Sequence, residues 1–301
     1  MTALEKIKEI TAFLQKCGIE DAHKESEMIL TFCLDMDKTV LYRDNPVLSS
    51  EDMKKIDEIA GRRIKREPLQ YILGHVEFYG LKIKVGEGVL IPRPETELLA
   101  EEVLRTVRSQ KSESRSQKDS GLRILDLCTG SGCLALAIAK HLPDAVVYGT
   151  DISAIAIKYA NGNAELNGIK NVIFLRGSLF DPIKKLFTIH YSLFTVIVSN
   201  PPYIKSLDIM NLQPEIKEWE PLNALDGGED GLKYYREILS VARQYLISPH
   251  LEKGGKGGFV ILEAGEGQAG DVTKIAQSNM FRKITIRKDY AGIERILSIT
   301  Y

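Results

Sequence analysis

The sequence predicts an α/β fold: a mainly parallel sheet covered by helices on both faces, preceded by a small α-helical bundle and a β-hairpin. Three observations predict it. From Leu122 onward short apolar runs alternate with amphipathic stretches, as strands joined by helical crossovers do. Those runs are apolar along most of their length, the composition of strands buried on both faces. Before about residue 70 the apolar residues recur only with helical spacing. At 301 residues there is room for about two domains, and 44% hydrophobic with 27% charged residues suits packed cores.

The helical zone places apolar residues at Ile7, Ile10 and Leu14, then at Met28, Ile29 and Phe32. A third helix is expected after Ser49 and Ser50, a serine cap followed by Glu51 and Asp52 where the helix dipole favours acids. It runs through Met53, Ile56, Ile59, Ala60 and Ile64, and Pro68 stops it. Arg62, Arg63, Lys65 and Arg66 read as a solvated face of this helix. Across residues 71–91, Val76, Phe78, Leu81, Ile83 and Val85 alternate with polar or small residues about Gly80, the pattern of a short hairpin.

The segment IPRPETELLAEEVLRTV then opens a helix, with Pro94 near its first turn and Glu95 and Glu97 at its positive end. The polar stretch 109–121 reads as a flexible, solvated loop. Strands are expected at 122–127, 145–150, 172–176, 194–199 and 258–262, and two more close the chain at 283–288 and 293–299. Helices are expected at 132–141, 154–166, 230–247 and 268–279. The expected domains are 1–75, helical; 76–91, a hairpin linker; and 92–301, the sheet domain.

Charge and cysteine usage exclude several classes. Lys plus Arg total 40 against 41 acidic residues, a net charge of -1 that leaves no global footprint for nucleic acid or an acidic membrane surface. No apolar run approaches the ~18 residues of a membrane span. The start, MTALEKIKEI, mixes acids and bases, unlike a secretory signal. Cys17, Cys33, Cys128 and Cys133 form neither a CxxC pair nor a disulfide framework, and a cytoplasmic setting is expected. No metal is expected: Cys128 and Cys133 read as packing residues, and His23, His75, His190 and His250 lack ligand or triad spacing.

Parallel sheets bind ligands beyond the carboxyl ends of their strands, and the chemistry-bearing segments lie there. The first strand leads into Asp126-Leu127-Cys128-Thr129-Gly130-Ser131-Gly132, whose glycines let backbone approach a ligand. Neither a P-loop nor the GxGxxG dinucleotide fingerprint is present. Asp151 ends the second strand, where a carboxylate accepts hydrogen bonds from both hydroxyls of a ribose. Ser178 and Leu179 follow the third strand, with Leu179 set to pack on an adenine. A backbone cradle, a ribose acceptor and a base pocket fit an adenosyl ligand without phosphates best.

After the fourth strand comes Ser199-Asn200-Pro201-Pro202-Tyr203-Ile204. Alone, such a sequence is a bland turn. Beside an adenosyl site it gains a chemistry, because two prolines remove two N–H donors and stiffen a frame of carbonyl acceptors. Asn200 adds a side-chain acceptor and Tyr203 a flat face. The set suits an –NH₂ on a planar π system: two acceptors would orient it and localise its lone pair in line with an activated methyl. The reaction this implies is methyl transfer to an amide or amino nitrogen.

These residues resemble the class I S-adenosylmethionine-dependent methyltransferases, with their Rossmann-like sheet, and within them the HemK/PrmC family of release-factor glutamine methyltransferases. The resemblance rests on REPLQYILGHVEFYGLKIKV (66–85), LIPRPETELL (90–99), DLCTGSGCLALAIA (126–139), SNPPYI (199–204) and EPLNALDGGEDGLKYYREIL (220–239). It implies methyl transfer from S-adenosyl-L-methionine, leaving S-adenosyl-L-homocysteine, to the side-chain amide nitrogen N5 of the glutamine in the Gly-Gly-Gln loop of bacterial class I peptide-chain release factors. Such a reaction supports translation termination.

In the implied site Asn200 and the Pro201 carbonyl hold the amide, Pro202 stiffens the frame and Tyr203 packs on it. Cys128, Thr129, Gly130, Ser131, Gly132, Asp151, Ser178, Leu179 and Asn200 hold the cofactor. Arg93 and Glu95 are weaker candidates beside it. The helical domain is implied to contact the release factor, and a monomer without direct DNA binding is expected. Cys128 stands where glycine is frequent, Ser178 where aspartate is common and Leu222 where arginine is frequent. An adenine-N6 DNA or RNA methyltransferase would use the same NPPY turn, but the net charge of -1 and the lack of an evident basic recognition domain disfavour it. A non-catalytic binding module is disfavoured by the intact Asn200 to Tyr203 and Asp151.

Overall fold

The computed structural model describes residues 1–113, 121–186, 194–247 and 257–301. The chain forms two compact units, Met1–His75 with Gln213–Trp219, and Val76–Leu212 with Glu220–Tyr301.

The first unit contains α1 (Ala3–Lys16), α2 (Ala22–Leu34), α3 (Lys38–Asp44), α4 (Ser50–Arg63) and α5 (Leu69–Leu73). A capping box starts α1: the Thr2 hydroxyl accepts from the Glu5 amide, and the Glu5 carboxylate accepts from the Thr2 amide. Ser49 caps α4 in the same way with Asp52, as the sequence predicts. Ile7, Ile10 and Leu14 meet Ile29 and Leu30 of α2 and Ile56 of α4 in one apolar core.

Two expectations fail here. Phe32 is 44% exposed and Leu30 is buried in its stead, because MILTFC is apolar at too many successive positions for spacing to fix the inner face. The basic run is not wholly a solvated face either. Arg62 and Lys65 are exposed, but Arg63 is buried. Its Nε and Nη2 donate to Glu25 at 2.6 and 3.1 Å, and Nη2 also reaches Glu215 at 2.8 Å. Arg66 donates to the other Glu215 oxygen at 2.7 Å. Glu215 arrives from the short helix Pro214–Trp219, which is α10 in chain order.

The second unit opens with a hairpin, β1 (His75–Phe78) and β2 (Leu81–Lys84), then α6 (Thr96–Glu113). Helix α6 starts two residues after Pro94. It also runs through 109–113, correcting the loop expected there, since SQKSE contains no helix breaker. Residues 114–120 of that expected loop lie outside the described residues, as do His190 and His250.

The sheet follows: β3 (Arg123–Leu127), α7 (Cys133–His141), β4 (Val146–Asp151), α8 (Ala154–Leu166), β5 (Val172–Arg176), α9 (Asp181–Leu186) and β6 (Val196–Ser199). After α10 come α11 (Lys233–Tyr245), β7 (Phe259–Glu263), α12 (Ala269–Ser278), β8 (Lys283–Lys288) and β9 (Glu294–Thr300). The seven strands lie in the order β5-β4-β3-β6-β7-β9-β8. The first five run parallel, and β9 pairs antiparallel with both β7 and β8. Helix α11 begins later than predicted because Gly231 still sits at φ 74°, the left-handed region that helices exclude.

The chain reverses direction across the sheet between β3 and β6, which puts the ends of β3, β4, β5 and β6 around one crevice. Among the described residues no helix is long and apolar enough to cross a membrane.

Candidate active site

The crevice is a pocket with about 690 Å³ of empty space, its open mouth included. Its walls bring together Cys128, Gly130, Asp151, Ser178, Leu179, Asn200 and Pro202 of the predicted site residues. Gly88 to Leu90 and Tyr234 are among the other residues that line it. Sequence reasoning missed these, treating the first as the end of a hairpin linker and the second as an ordinary helical residue.

Thr129, Ser131 and Gly132 do not line the pocket and lie in the loop behind it; Pro201 is likewise outside its lining. Thr129 donates its hydroxyl to Asp126 at 2.6 Å, and both are buried. Burial pushes the Asp126 carboxyl up to about 7, with Thr129 acting against the rise and the Asp151 charge adding to it. Gly132 sits at φ 79°, and a Cβ there would lie 2.8 Å from the Phe174 ring. Only glycine therefore lets the loop turn into α7 at this spacing. Cys128 is also left-handed, at φ 59°, the conformation in which the expected glycine would be at home. Burial raises its thiol pKa, so it is no thiolate.

Asp151 is the hub of the pocket. One carboxylate oxygen accepts from the Gly130 amide at 2.9 Å and the other from the Ser153 amide at 2.8 Å. Burial raises its pKa against both bonds. Each oxygen keeps a further lone pair, so two ribose hydroxyls can be received without losing the loop geometry. Leu179, Val89, Ala156 and Tyr234 supply apolar and aromatic walls for a base. The residues therefore fit an adenosyl group.

The NPPY turn contributes one end of the pocket. Ser199 anchors it by donating to the Leu127 carbonyl at 2.7 Å. The Asn200 amide donates to the Thr96 hydroxyl at 3.0 Å, and Thr96 donates to the buried Glu263 at 2.8 Å. Tyr203 lines an adjoining groove with Gly265 and Gln268, and its hydroxyl lies 3.5 Å from Glu263. Burial pushes Glu263 up to about 7, while Thr96, Arg295 and Tyr203 act against the rise and Glu95 adds to it.

The turn is also held from outside. Gln268 donates to the Tyr203 carbonyl at 2.9 Å and accepts from the Gly265 amide at 3.0 Å. A Cβ at Gly231 would lie 2.5 Å from the Tyr203 carbonyl, which explains the glycine in that loop. Arg93 does not line the pocket: it pairs with buried Glu220 at 2.5 Å. Leu222, which stands where arginine is frequent in the family the sequence resembles, is 58% exposed.

The chain matches the model of the PrmC N-terminal domain over residues 5–74 and that of a methyltransferase domain over residues 118–248. The hMettl16 catalytic domain, solved with a MAT2A 3′UTR hairpin, superposes with a TM-score of 0.50 at 16% identity, covering 74% of this chain and 76% of that one. A human methyltransferase 10 domain containing protein gives a TM-score of 0.50 at 16% identity, covering 74% and 88%. These neighbours share the fold. By sheet order and strand-end pocket the chain has the class I methyltransferase fold.

The relatives narrow the class. The release factor glutamine methyltransferase of Thermodesulfovibrio yellowstonii is 48% identical over 99% of this chain and 97% of its own. That of Geobacter sulfurreducens is 40% identical over 95% and 92%. The chain belongs to the release factor glutamine methyltransferase family.

Proposed function

We propose that this chain methylates the side-chain amide nitrogen N5 of the glutamine in the Gly-Gly-Gln loop of bacterial class I release factors, supporting translation termination in the cytoplasm. The observation that carries this reading is that Asn200 and Pro202 share one pocket with Gly130 and Asp151. An acceptor frame for –NH₂ thus opens onto an adenosyl site. The family relatives supply the substrate class.

In this reading Asp151 receives the ribose, Gly130 gives the ligand close approach, and Ser178 and Leu179 flank the base. Cys128, Thr129, Ser131 and Gly132 hold the loop in shape. S-adenosyl-L-methionine supplies a methyl on a sulfonium, whose sulfur leaves as the neutral thioether of S-adenosyl-L-homocysteine. The Asn200 side-chain oxygen and the Pro201 carbonyl accept the two amide hydrogens, Pro202 keeps that carbonyl rigid, and Tyr203 packs against the amide plane. As the N–C bond forms and the C–S bond breaks, the amide nitrogen releases one proton to solvent. Positioning carries most of the acceleration. The helical unit is the release-factor contact, and the enzyme acts as a monomer without a metal or DNA contact.

The test incubates wild type and Asn200→Ala with S-adenosyl-L-methionine and an unmodified release factor, its Gly-Gly-Ala variant and a DNA duplex. Mass spectrometry should place one methyl on the glutamine and none on the variant or the DNA. Asn200→Ala should slow the transfer by roughly 10²–10³-fold, the loss expected when one preorganised polar contact is removed. Methyl on adenine, or an unchanged Asn200→Ala rate, would overturn the reading.

A further inference from the structure

We infer that Thr96 and Glu263 are positioning residues that fix which end of the Asn200 side-chain amide faces the pocket. The inference rests on the role given to Asn200 above. An asparagine amide has a donor end and an acceptor end of nearly equal shape, so packing alone does not choose between its two orientations. The site needs the acceptor end outward.

The buried chain of hydrogen bonds supplies the choice. Glu263, 1% exposed, ends β7 and turns Oε2 toward the Thr96 hydroxyl at 2.8 Å. Tyr203 and Thr96 both donate to this carboxyl. In its ionised form it only accepts, and the single hydroxyl proton of Thr96 is then committed to it. Thr96 is then left with lone pairs alone for its other neighbour. That neighbour is Asn200, which can meet them only with its –NH₂, at 3.0 Å. The Asn200 oxygen is consequently the end presented to the pocket.

Burial, the largest cause, and Glu95 raise the Glu263 carboxyl to about 7, while Thr96, Arg295 and Tyr203 favour its ionised form. The variants are therefore compared at about pH 8, where the carboxylate prevails. Thr96 opens α6, from the LIPRPETELL stretch, so the polar order of the reaction loop is set by a residue 104 positions earlier in the chain. Thr96 and Glu263 do not line the pocket.

Three variants test this on the full chain. Thr96→Val keeps the shape and removes the hydroxyl, and Glu263→Gln can offer an N–H to Thr96 and reverse the chain of donors. Both should lower kcat by about 10–100-fold, the scale of a mispositioned reacting group. KM for S-adenosyl-L-methionine should stay near wild type, and Thr96→Val should lose a few degrees of melting temperature because it leaves two buried partners unpaired. Thr96→Ser should restore kcat to within about threefold. If Thr96→Ser is as slow as Thr96→Val, or Thr96→Val is as fast as wild type, the inference falls.

A readout independent of activity follows the Asn200 amide itself. In protein labelled with ¹⁵N-asparagine, the Asn200 –NH₂ pair is assigned by its disappearance in Asn200→Asp. Thr96→Val should shift it and speed its exchange with solvent, and an unmoved signal would overturn the inference. A shifted signal in an enzyme that methylates no release factor would support the orientation while sinking the proposed function.

Discussion

The two units treat buried charge in opposite ways. In the helical unit, buried ionisable groups are paired. Arg63 lies between Glu25 and Glu215. Burial alone would raise Glu27, yet bonds from Lys38 and Tyr42 outweigh it and hold its carboxyl below the usual range. Glu215 is likewise depressed, with its backbone bond, Arg63 and Arg66 overcoming burial. In the sheet unit the carboxyls around the pocket, Asp126, Asp151 and Glu263, are raised, burial being the largest cause in each. Away from the pocket the same unit pairs its charge, since Arg105 helps hold Glu102 low. The difference separates charge that completes a structure from carboxyls that cluster around a ligand pocket with no ion-pair partner among the described residues.

Removing a cation from the helical unit should therefore damage the fold and spare the pocket. Arg63→Met leaves Glu25 and Glu215 facing each other without their shared partner. Breaking such a buried pair from one side costs about 3 kcal/mol. Urea unfolding should show that loss, while the affinity for S-adenosyl-L-homocysteine stays within about twofold. Unchanged stability would remove the helical half of the contrast.

Asp151→Asn should give the reverse. An amide in place of the carboxylate points an N–H at either Gly130 or Ser153, both of which are donors. It also loses a charged acceptor for the ribose, worth about 1.5–3 kcal/mol, or roughly 10–100-fold in affinity. Calorimetry with S-adenosyl-L-homocysteine measures that loss. The ligand-free protein should lose only a little stability, because relief of a costly buried charge offsets much of the lost hydrogen bond. A large drop in stability with intact binding would make Asp151 a structural residue.

What sequence reveals divides along another line. Local signals were legible: the Ser49 cap, the strand runs, Asp151 at the end of β4 and the turn after β6 each depend on neighbours a few residues away. The hidden parts are long-range. Thr96 meets Asn200 across 104 residues, Tyr203 meets Glu263 across 60 and Gln268 meets Tyr203 across 65, and no spacing rule announces such pairs. Gly88 to Leu90 and Tyr234 reach the pocket through tertiary packing, which periodicity does not encode. Helix α6 outran its apolar pattern because helix propensity continues where the pattern stops. Helices α3 and α5 are too short to show a period at all.

The contrast can also be tested in a single wild-type sample. Asp126 and Glu263 have ordinary values of 3.8 and 4.5 and stand near 7 in the folded chain. Between those limits the native state holds protons that the unfolded chain has released, so stability falls as pH rises through about 7. Lowering the pH from 7.5 to 5.5 should thus stabilise the sheet unit, by up to about 2 kcal/mol per carboxyl at 1.4 kcal/mol per pH unit. Glu27 and Glu215 are depressed below 4.5, so their contribution is complete throughout that range and is lost only in stronger acid. Hydrogen exchange resolves the units: amides of β3 and β7 should gain protection on acidification while those of α1 and α2 hold steady, after correction for intrinsic exchange rates. Asp126→Asn should remove its share of the gain. Equal gains in both units would mean that the raised carboxyls are not what distinguishes the pocket.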